Sequence, residues 1–499
     1  MVVARILRRF AKDHFSPVPR DFAQNPAPPS ADSIEAAAMA QGGGASRVRV
    51  LTQNTWALPI FPDVQERVAG FCAVLARGEW DVVIMQELAM KREINAIIEA
   101  GKRGGLVYHH HFIQGVGFPI WLDVMGTGLL VLSRFPIVDA MYRRYSVNGF
   151  PHKIEHSDFF GAKGIGMVRL ALGGPAGRGL DVYCTHLHAR YCDPPPPPKG
   201  YVTRDGVRVT WNESKNPLSY DEYASHRAAQ AFEAAKFIAA TRDPRNLCVL
   251  AGDLNMPEKS AGATMVRRLA GRLRDSFREV SDADGFTIDA PDNVHTPAVG
   301  AEPPQRIDYV LWSPPTLGTS SGSPRASGGR WWVESSEVCR FVADVKGRRT
   351  HVSDHFGVGT ELRYAKPGDG VALAQARRRP RPPPSDDAVD IAAVQEACRV
   401  VELGVADAAA RQYKRQMRAL VAVGLLLVML WALHIDALPD SGLLPALLRG
   451  PLMVLLAAYA VGELIMGQYF NKDERFAMQE VLAEMRITVN AMRSGWLRG

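Results

Sequence analysis

Paired cysteines are missing from this 499-residue chain. Its six cysteines, Cys72, Cys184, Cys192, Cys248, Cys339 and Cys398, lie far apart with no CxxC spacing. That excludes a short secreted disulfide framework and reads as reduced thiols in a reducing compartment. A continuous apolar stretch near the N-terminus is also missing. MVVARILRRFAKDHF mixes Arg5, Arg8, Arg9 and Lys12 into its apolar residues, which makes a poor secretory signal. It reads first as a disordered basic arm, with an organelle presequence as the alternative. No repeat of fixed period is evident, and no large charge imbalance marks the middle of the chain. The formal net charge is +7, but acidic and basic residues nearly balance between 51 and 365. A surface that wraps nucleic acid needs a larger excess, so nucleic acid is not expected as a partner. With 47% hydrophobic and 22% charged residues, a wholly disordered or collagen-like chain is excluded. The length, at roughly 100 to 200 residues per domain, allows several folding units or one large domain with appendages.

Residues 1–46 are rich in Ala, Pro, Gly and Ser and end in GGGAS, a flexible basic segment. From 47 to 365, short β-branched runs such as VRVLTQN, VVIMQE, LDVYCTH and LCVLAGD alternate with amphipathic helical stretches such as Val64 to Ala76 and Tyr223 to Thr241. Many strands with few helices between them predict a layered α/β domain. A Pro-rich insertion, 193–220, is expected to project as a long loop, and its Asn212-Glu213-Ser214 sequon to go unused. A Pro/Arg-rich linker follows at 366–390, then a juxtamembrane helix at 391–418. Two apolar runs, 419–435 and 451–470, the second interrupted by Glu463, reach roughly 25 to 30 Å as helices, the lower end of what spans a bilayer. The alternative is a buried hairpin of a soluble domain. Arg411, Lys414, Arg415 and Arg418 before the first run, with Lys472 and Arg475 after the second, predict cytosolic flanks. Residues 471–499 then form a cytosolic amphipathic tail.

The chemistry is concentrated at strand ends, where a core would take apolar residues. Asn54 ends one strand and Glu87 another; THLH carries His186, GDLN carries Asp253 and Asn255, RIDYV carries Asp308, and SDH carries Asp354 and His355. Each alone reads as a turn or cap residue. If the strands converge, Glu87 offers a hard anionic oxygen, and Asp253 and Asn255 point to one side of an extended segment. Oxygen ligands without thiolates suit Mg²⁺, with Mn²⁺ as the alternative. His355, beside Asp354, can take a proton from water if a second carboxylate orients its ring, and Asp308 is the candidate for that. His186 and Asn255 can donate hydrogen bonds to phosphoryl oxygens. The reaction class is metal-assisted hydrolysis of a phosphate ester.

In sequence order, QNTW, QE, GTGLLVLSR, THLHARY, GDLN, RIDYV and SDH resemble the endonuclease/exonuclease/phosphatase superfamily of Mg²⁺-dependent phosphoesterases, over about Arg47 to Leu362. The resemblance implies a four-layered α/β sandwich carrying, in this chain, a C-terminal two-helix transmembrane hairpin. It implies Glu87 as Mg²⁺ ligand, Asn54 as accessory ligand or water anchor, Asp253 and Asn255 as phosphate and leaving-group contacts, His355 as general base supported by Asp308, and His186 as transition-state stabiliser. Within the superfamily, Tyr145 to Leu170 and SHRAAQAFEAAKFI resemble the neutral sphingomyelinases and inositol phosphosphingolipid phospholipases C. Asp158 and Lys163 match the spacing of an Asp and a Lys implicated there in substrate engagement and activation by anionic lipid; the alternative for Lys163 is a solvated loop lysine. The expectation is a membrane-anchored hydrolase that cuts sphingolipid phosphodiesters to ceramide and a phosphorylated headgroup. Its partners would be sphingolipid in a membrane and anionic phospholipid as activator. Its place would be the endoplasmic reticulum or another endomembrane with the site facing the cytosol, and a mitochondrial address is the alternative. Arg377, Arg378, Arg379 and Arg381 could hold the linker against anionic lipid, and Phe118, Ile120, Trp121 and Leu122 could enter the interface or belong to the core. Other functions weighed are a phosphoinositide phosphatase or nuclease of the same superfamily, and a catalytically silent membrane scaffold.

Overall fold

Apolar residues on successive positions of the strands serve opposite faces, so each strand supplies two cores at once. Val82 and Ile84 enter one apolar cluster while Val83 and Met85 enter another. In the computed structural model the described residues are 25–27, 29–30, 32–33, 46–113, 126–156, 158–173, 179–191, 201–202, 208–209, 217–219, 221–297, 303–316, 330–366, 368–372, 374, 387–434 and 443–496. The stretch Phe118 to Leu122, the sequon, the arginines from Arg377 to Arg381 and most of the basic N-terminal segment and Pro-rich insertion lie outside them.

In chain order the strands are β1 (Arg47–Asn54), β2 (Val82–Gln86), β3 (Tyr108–Phe112), β4 (Leu129–Ser133), β5 (Ile137–Arg144), β6 (Gly164–Leu170), β7 (Leu180–His186), β8 (Tyr201–Val202), β9 (Arg208–Val209), β10 (Leu247–Asp253), β11 (Arg274–Asp275), β12 (Asp308–Ser313), β13 (Arg330–Cys339), β14 (Val342–Val345), β15 (Arg348–His351) and β16 (Gly357–Ala365). The helices are α1 (Val64–Leu75), α2 (Lys91–Arg103), α3 (Ala224–Thr241), α4 (Ala261–Leu269), α5 (Asp387–His434), α6 (Leu443–Ile465) and α7 (Lys472–Arg493). Two six-stranded sheets have the orders β13-β16-β1-β2-β4-β3 and β11-β12-β10-β7-β6-β5. Their inner faces share one core that includes Val50, Ile84, Val131, Val182, Val249 and Trp312. Helices α1 and α2 cover the outer face of the first sheet, and α3 and α4 cover that of the second. The result is the four-layered α/β sandwich expected from the sequence.

Topology determines where the polar strand ends fall. β1 and β2 pair in parallel, with Asn54 opposite Gln86, and β7 and β10 pair in parallel, with His186 opposite Asp253. β12 runs antiparallel to β10 and begins at Asp308, opposite Asp253. Both sheets therefore deliver their polar ends to one edge of the sandwich.

The C-terminal helices extend the second outer layer. The segments expected as juxtamembrane helix and first apolar span form one continuous helix, α5. Val394, Ala397 and Val401 of α5 and Met478, Val481, Leu482, Met485 and Val489 of α7 join the apolar cluster of α3 and α4. Beyond Ala419 the helix changes environment: Val421 is 63% exposed and Trp431 62%, as is Leu455 of α6 at 67%. A soluble hairpin would hide such residues. Two C-terminal helices are thus long and apolar enough to span a membrane. Glu463, the charge inside the second run, pairs with Arg415 at 3.2 Å and Arg418 at 3.5 Å. A six-residue π-helical stretch, Met466–Asn471, connects α6 to α7.

Candidate active site

Asn54 occupies the centre of the rim because β1 is central in its sheet and ends there. Its Nδ2 donates to Glu87 Oε1 at 2.9 Å and to Asp253 Oδ2 at 3.2 Å, linking the two sheets, while its Oδ1 accepts the Trp56 N–H at 3.1 Å. The chain turns sharply here. Trp56, Glu87 and Asn255 all adopt positive φ, a conformation that costs non-glycine residues energy and persists where surrounding contacts enforce it. Gly128 makes room for the Glu87 turn, since a Cβ there would sit 3.2 Å from the Glu87 nitrogen.

Opposite Glu87, His355 Nδ1 meets Asp308 Oδ2 at 2.8 Å, and its Nε2 lies 3.9 Å from Asp253 Oδ2. Burial depresses the His355 pKa, but the Asp308 charge and hydrogen bond, with Asp354 and Asp253, hold it well above the usual histidine range. Burial pushes Asp253 up to about 7, with Asp308 adding to the shift, and pushes Asp354 up to about 6, with Glu87 adding to it. His186 Nε2 lies 3.0 Å from Lys163 Nζ, 3.5 Å from Asp253 Oδ2 and 4.0 Å from Glu87 Oε1. Burial and the neighbouring Lys163 keep His186 well below its ordinary pKa, hence neutral. Asn255 is anchored by its own N–H to Asp253 Oδ1 at 2.8 Å and by Nδ2 to the Leu187 carbonyl at 2.9 Å.

Asp158 and Lys163 form a buried ion pair, and Lys163 also donates to the Leu187 carbonyl at 2.8 Å. Burial alone would raise the Asp158 pKa, but the charges of His188 and Lys163 outweigh it and bring the group below the carboxylate range. Lys163 is thus buried in the cleft wall and not solvated as in the alternative. All the residues expected from the sequence meet at this rim: Asn54, Glu87, Asp158, Lys163, His186, Asp253, Asn255, Asp308, Asp354 and His355 are joined by the contacts above or line the same cleft. The cleft has about 250 Å³ of free space, with Trp56, Leu58, Ile60 and Phe61 on its apolar side and Tyr191 near Asp158. The Tyr191 hydroxyl donates to Asp158 Oδ2 at 2.7 Å.

The donor set fits a hard divalent cation. It consists of carboxylate oxygens without thiolates, and Asp308 Oδ1 is buried with no hydrogen-bond partner. Asp253, Asp308 and His355 place ligand atoms within 4.8 Å of one another.

Sequence reasoning missed Arg67. It sits at helical spacing with Val64, Val68 and Phe71 on the buried face of α1, a signal that was available. The side chain is fully buried and donates to the carbonyls of Pro62 (3.0 Å), Thr55 (3.3 Å), Trp56 (2.8 Å) and Val352 (2.8 Å), under the Trp56 ring at 4.6 Å. It thereby ties the loop after Asn54 to the one before Asp354.

Comparison with known proteins gives the family of the chain. Residues 51–355 match the model of the Endonuclease/Exonuclease/phosphatase family. Sphingomyelin phosphodiesterase 2 of Rattus norvegicus is 31% identical over 279 residues, 53% of this chain and 56% of its own length. Inositol phosphosphingolipids phospholipase C of Schizosaccharomyces pombe is 24% identical over 346 residues, 64% of this chain and 69% of its own. A Drosophila melanogaster relative reaches 36% identity over 209 residues, 42% of this chain and only 39% of its own length. Among solved structures, sphingomyelinase C from Streptomyces griseocarneus aligns with a TM-score of 0.43 at 19% identity, covering 64% of this chain and 99% of that one. The chain belongs to the endonuclease/exonuclease/phosphatase family.

Proposed function

We propose that this chain is a membrane-anchored, Mg²⁺-dependent phosphodiesterase that cuts sphingolipids as a phospholipase C does. Water attacks phosphorus, the bond from phosphorus to the ceramide oxygen breaks, ceramide leaves with a proton, and the phosphorylated headgroup is released. The observation that carries this reading is the rim itself, where Asn54 couples Glu87 of one sheet to Asp253 of the other beside the His355–Asp308 pair. The similarity to proteins named sphingomyelin phosphodiesterase and inositol phosphosphingolipids phospholipase C selects sphingolipid as the substrate class.

In this reading Glu87, with Asn54 as accessory, holds Mg²⁺, and Mn²⁺ is the alternative. When bound, the cation supplies positive charge against the phosphoryl oxygens and screens the carboxylates that otherwise keep the His355 ring protonated. His355 takes the proton from water and Asp308 fixes its tautomer through Nδ1. Asp354 adds negative charge beside that ring. Neutral His186, with Asn255, donates hydrogen bonds where charge develops on the phosphoryl group. Lys163, held by Asp158, faces the same cleft and is a substrate contact. The two apolar helices attach the domain to an endomembrane with the site in the cytosol, a mitochondrial membrane being the alternative. Anionic phospholipid is the proposed activator, engaged through the segment that carries Asp158 and Lys163, as the family resemblance implies.

The test is hydrolysis of labelled sphingomyelin, inositol phosphosphingolipid, a phosphoinositide and abasic DNA by purified full-length protein with Mg²⁺. Sphingolipid turnover is expected. Sphingolipid inertness beside DNA or phosphoinositide cleavage would replace this reading with a nuclease or phosphatase, and complete inertness with a scaffold.

A further inference from the structure

One wall of the cleft rests on the C-terminal helices. The segment between β5 and β6 contributes Glu155, Asp158, Gly161 and Lys163 to the cleft. On its other side the Arg411 guanidinium lies 4.4 Å from the Phe150 ring, and Phe159 meets Phe470 edge-on with centroids 5.8 Å apart. Arg411 also bonds Glu474 of α7 at 2.6 Å, whose carboxylate lies 3.3 Å from buried His226 of α3.

Farther from the apolar spans, the same helices are fixed to the body of the domain. Arg268 of α4 pairs with Asp390 of α5 at 3.0 Å. Gly404 permits close approach of α5 and α3, because a Cβ there would fall 2.4 Å from Ser225 Cβ and 2.9 Å from Met478 Sδ. The apolar contacts of α5 and α7 with α3 fill the space between these two points.

The pairing of Glu463 with Arg415 and Arg418 marks the level at which both apolar helices leave the domain. Arg411 lies about two turns below Arg418, roughly 10 Å along the axis. The polar headgroup layer on one side of a bilayer is roughly 5 to 8 Å deep, so Arg411 and the wall beside it sit just beyond its outer edge. Ile154, on the same segment, is apolar and 66% exposed.

We propose that α5 and α7 are a rigid strut that holds the Phe150 to Lys163 wall against the lipid surface, so that the cleft faces the headgroup layer at fixed height and Ile154 enters the interface. The partner is the bilayer surface that carries the substrate. The proposal rests on the membrane-anchored reading above and adds that the tether fixes orientation as well as proximity.

Two measurements on the full chain in phosphatidylcholine vesicles test it. An environment-sensitive fluorophore on Ile154→Cys is expected to emit at shorter wavelength, and to be quenched by lipids brominated on their acyl chains, more than the same probe on Val107→Cys. Val107 lies beside β3 at the opposite edge of the sheet. Equal emission and quenching at the two positions would overturn the proposal. Gly404→Leu, and separately Asp390→Arg, are expected to lower turnover of sphingomyelin in vesicles by roughly tenfold or more while sparing detergent-dispersed sphingomyelin. Adding Arg268→Asp to Asp390→Arg should restore vesicle turnover. Unchanged vesicle turnover in both variants would contradict the strut. Failure of the unsubstituted chain to hydrolyse detergent-dispersed sphingomyelin overturns the functional reading alone, and the fluorophore comparison still decides the strut.

Discussion

Arg67 carries a buried charge that ends on backbone carbonyls, an arrangement that pays only if those carbonyls must stay where they are. Burial lowers its pKa to about 10, so it remains protonated at neutral pH. Arg67→Met is expected to destabilise the protein by about 3 kcal/mol or more, since it strands several buried acceptors. It should also raise the Mg²⁺ concentration needed for half-maximal activity, because Asn54 and Asp354 lose their common support. Arg67→Lys keeps the charge but not the planar fork, and should recover part of both effects. Thermal melting and a Mg²⁺ titration of activity check this, and unchanged metal dependence in a destabilised variant would reduce Arg67 to a structural residue. His355→Ala should lower turnover by roughly a hundredfold or more while leaving membrane association intact. Unchanged turnover would refute His355 as the base. Glu87→Gln should shift the Mg²⁺ requirement upward by roughly tenfold or more.

The strands and the tail helices differ in how far sequence could locate them. Continuous apolar runs in VVIMQE and LCVLAGD, alternating along the chain with helical stretches, marked the strands, and polar residues at their ends marked the rim, because two parallel pairs bring those ends to one edge. Asp158 and Lys163 were legible only through the family resemblance whose spacing they match, and both line the cleft as an ion pair. The packing of α7 was not legible. Its apolar positions indicate an amphipathic helix, but a helix face does not encode which surface covers it, and that surface is built by α5 together with α3, which lies more than two hundred residues earlier in the chain. The same holds for α5, whose lower half is domain core and whose upper half is apolar yet exposed. This has a consequence for truncation. Deleting everything from Ala419 would remove α7 as well as the spans, so the remainder should melt lower or aggregate. Met485→Ala, which touches only the α7 packing, should cost about 2 to 4 kcal/mol and lower the melting temperature without changing the Mg²⁺ dependence of hydrolysis. A melting temperature equal to that of the unsubstituted protein would show that α7 contributes nothing to the fold.

At the scale of the molecule, two sheets meet at a cation-compatible rim, and the proposed helical strut would bring that rim to a lipid surface. In the proposed reaction, water is activated at this rim and attacks phosphorus. Purified full-length protein hydrolysing sphingomyelin with Mg²⁺ in heavy-oxygen water tests it most directly, with mass spectrometry of both products. Heavy oxygen is expected in the phosphorylated headgroup and not in ceramide, with no product after a chelator removes the metal. Heavy oxygen in ceramide, or hydrolysis that survives chelation, would contradict it.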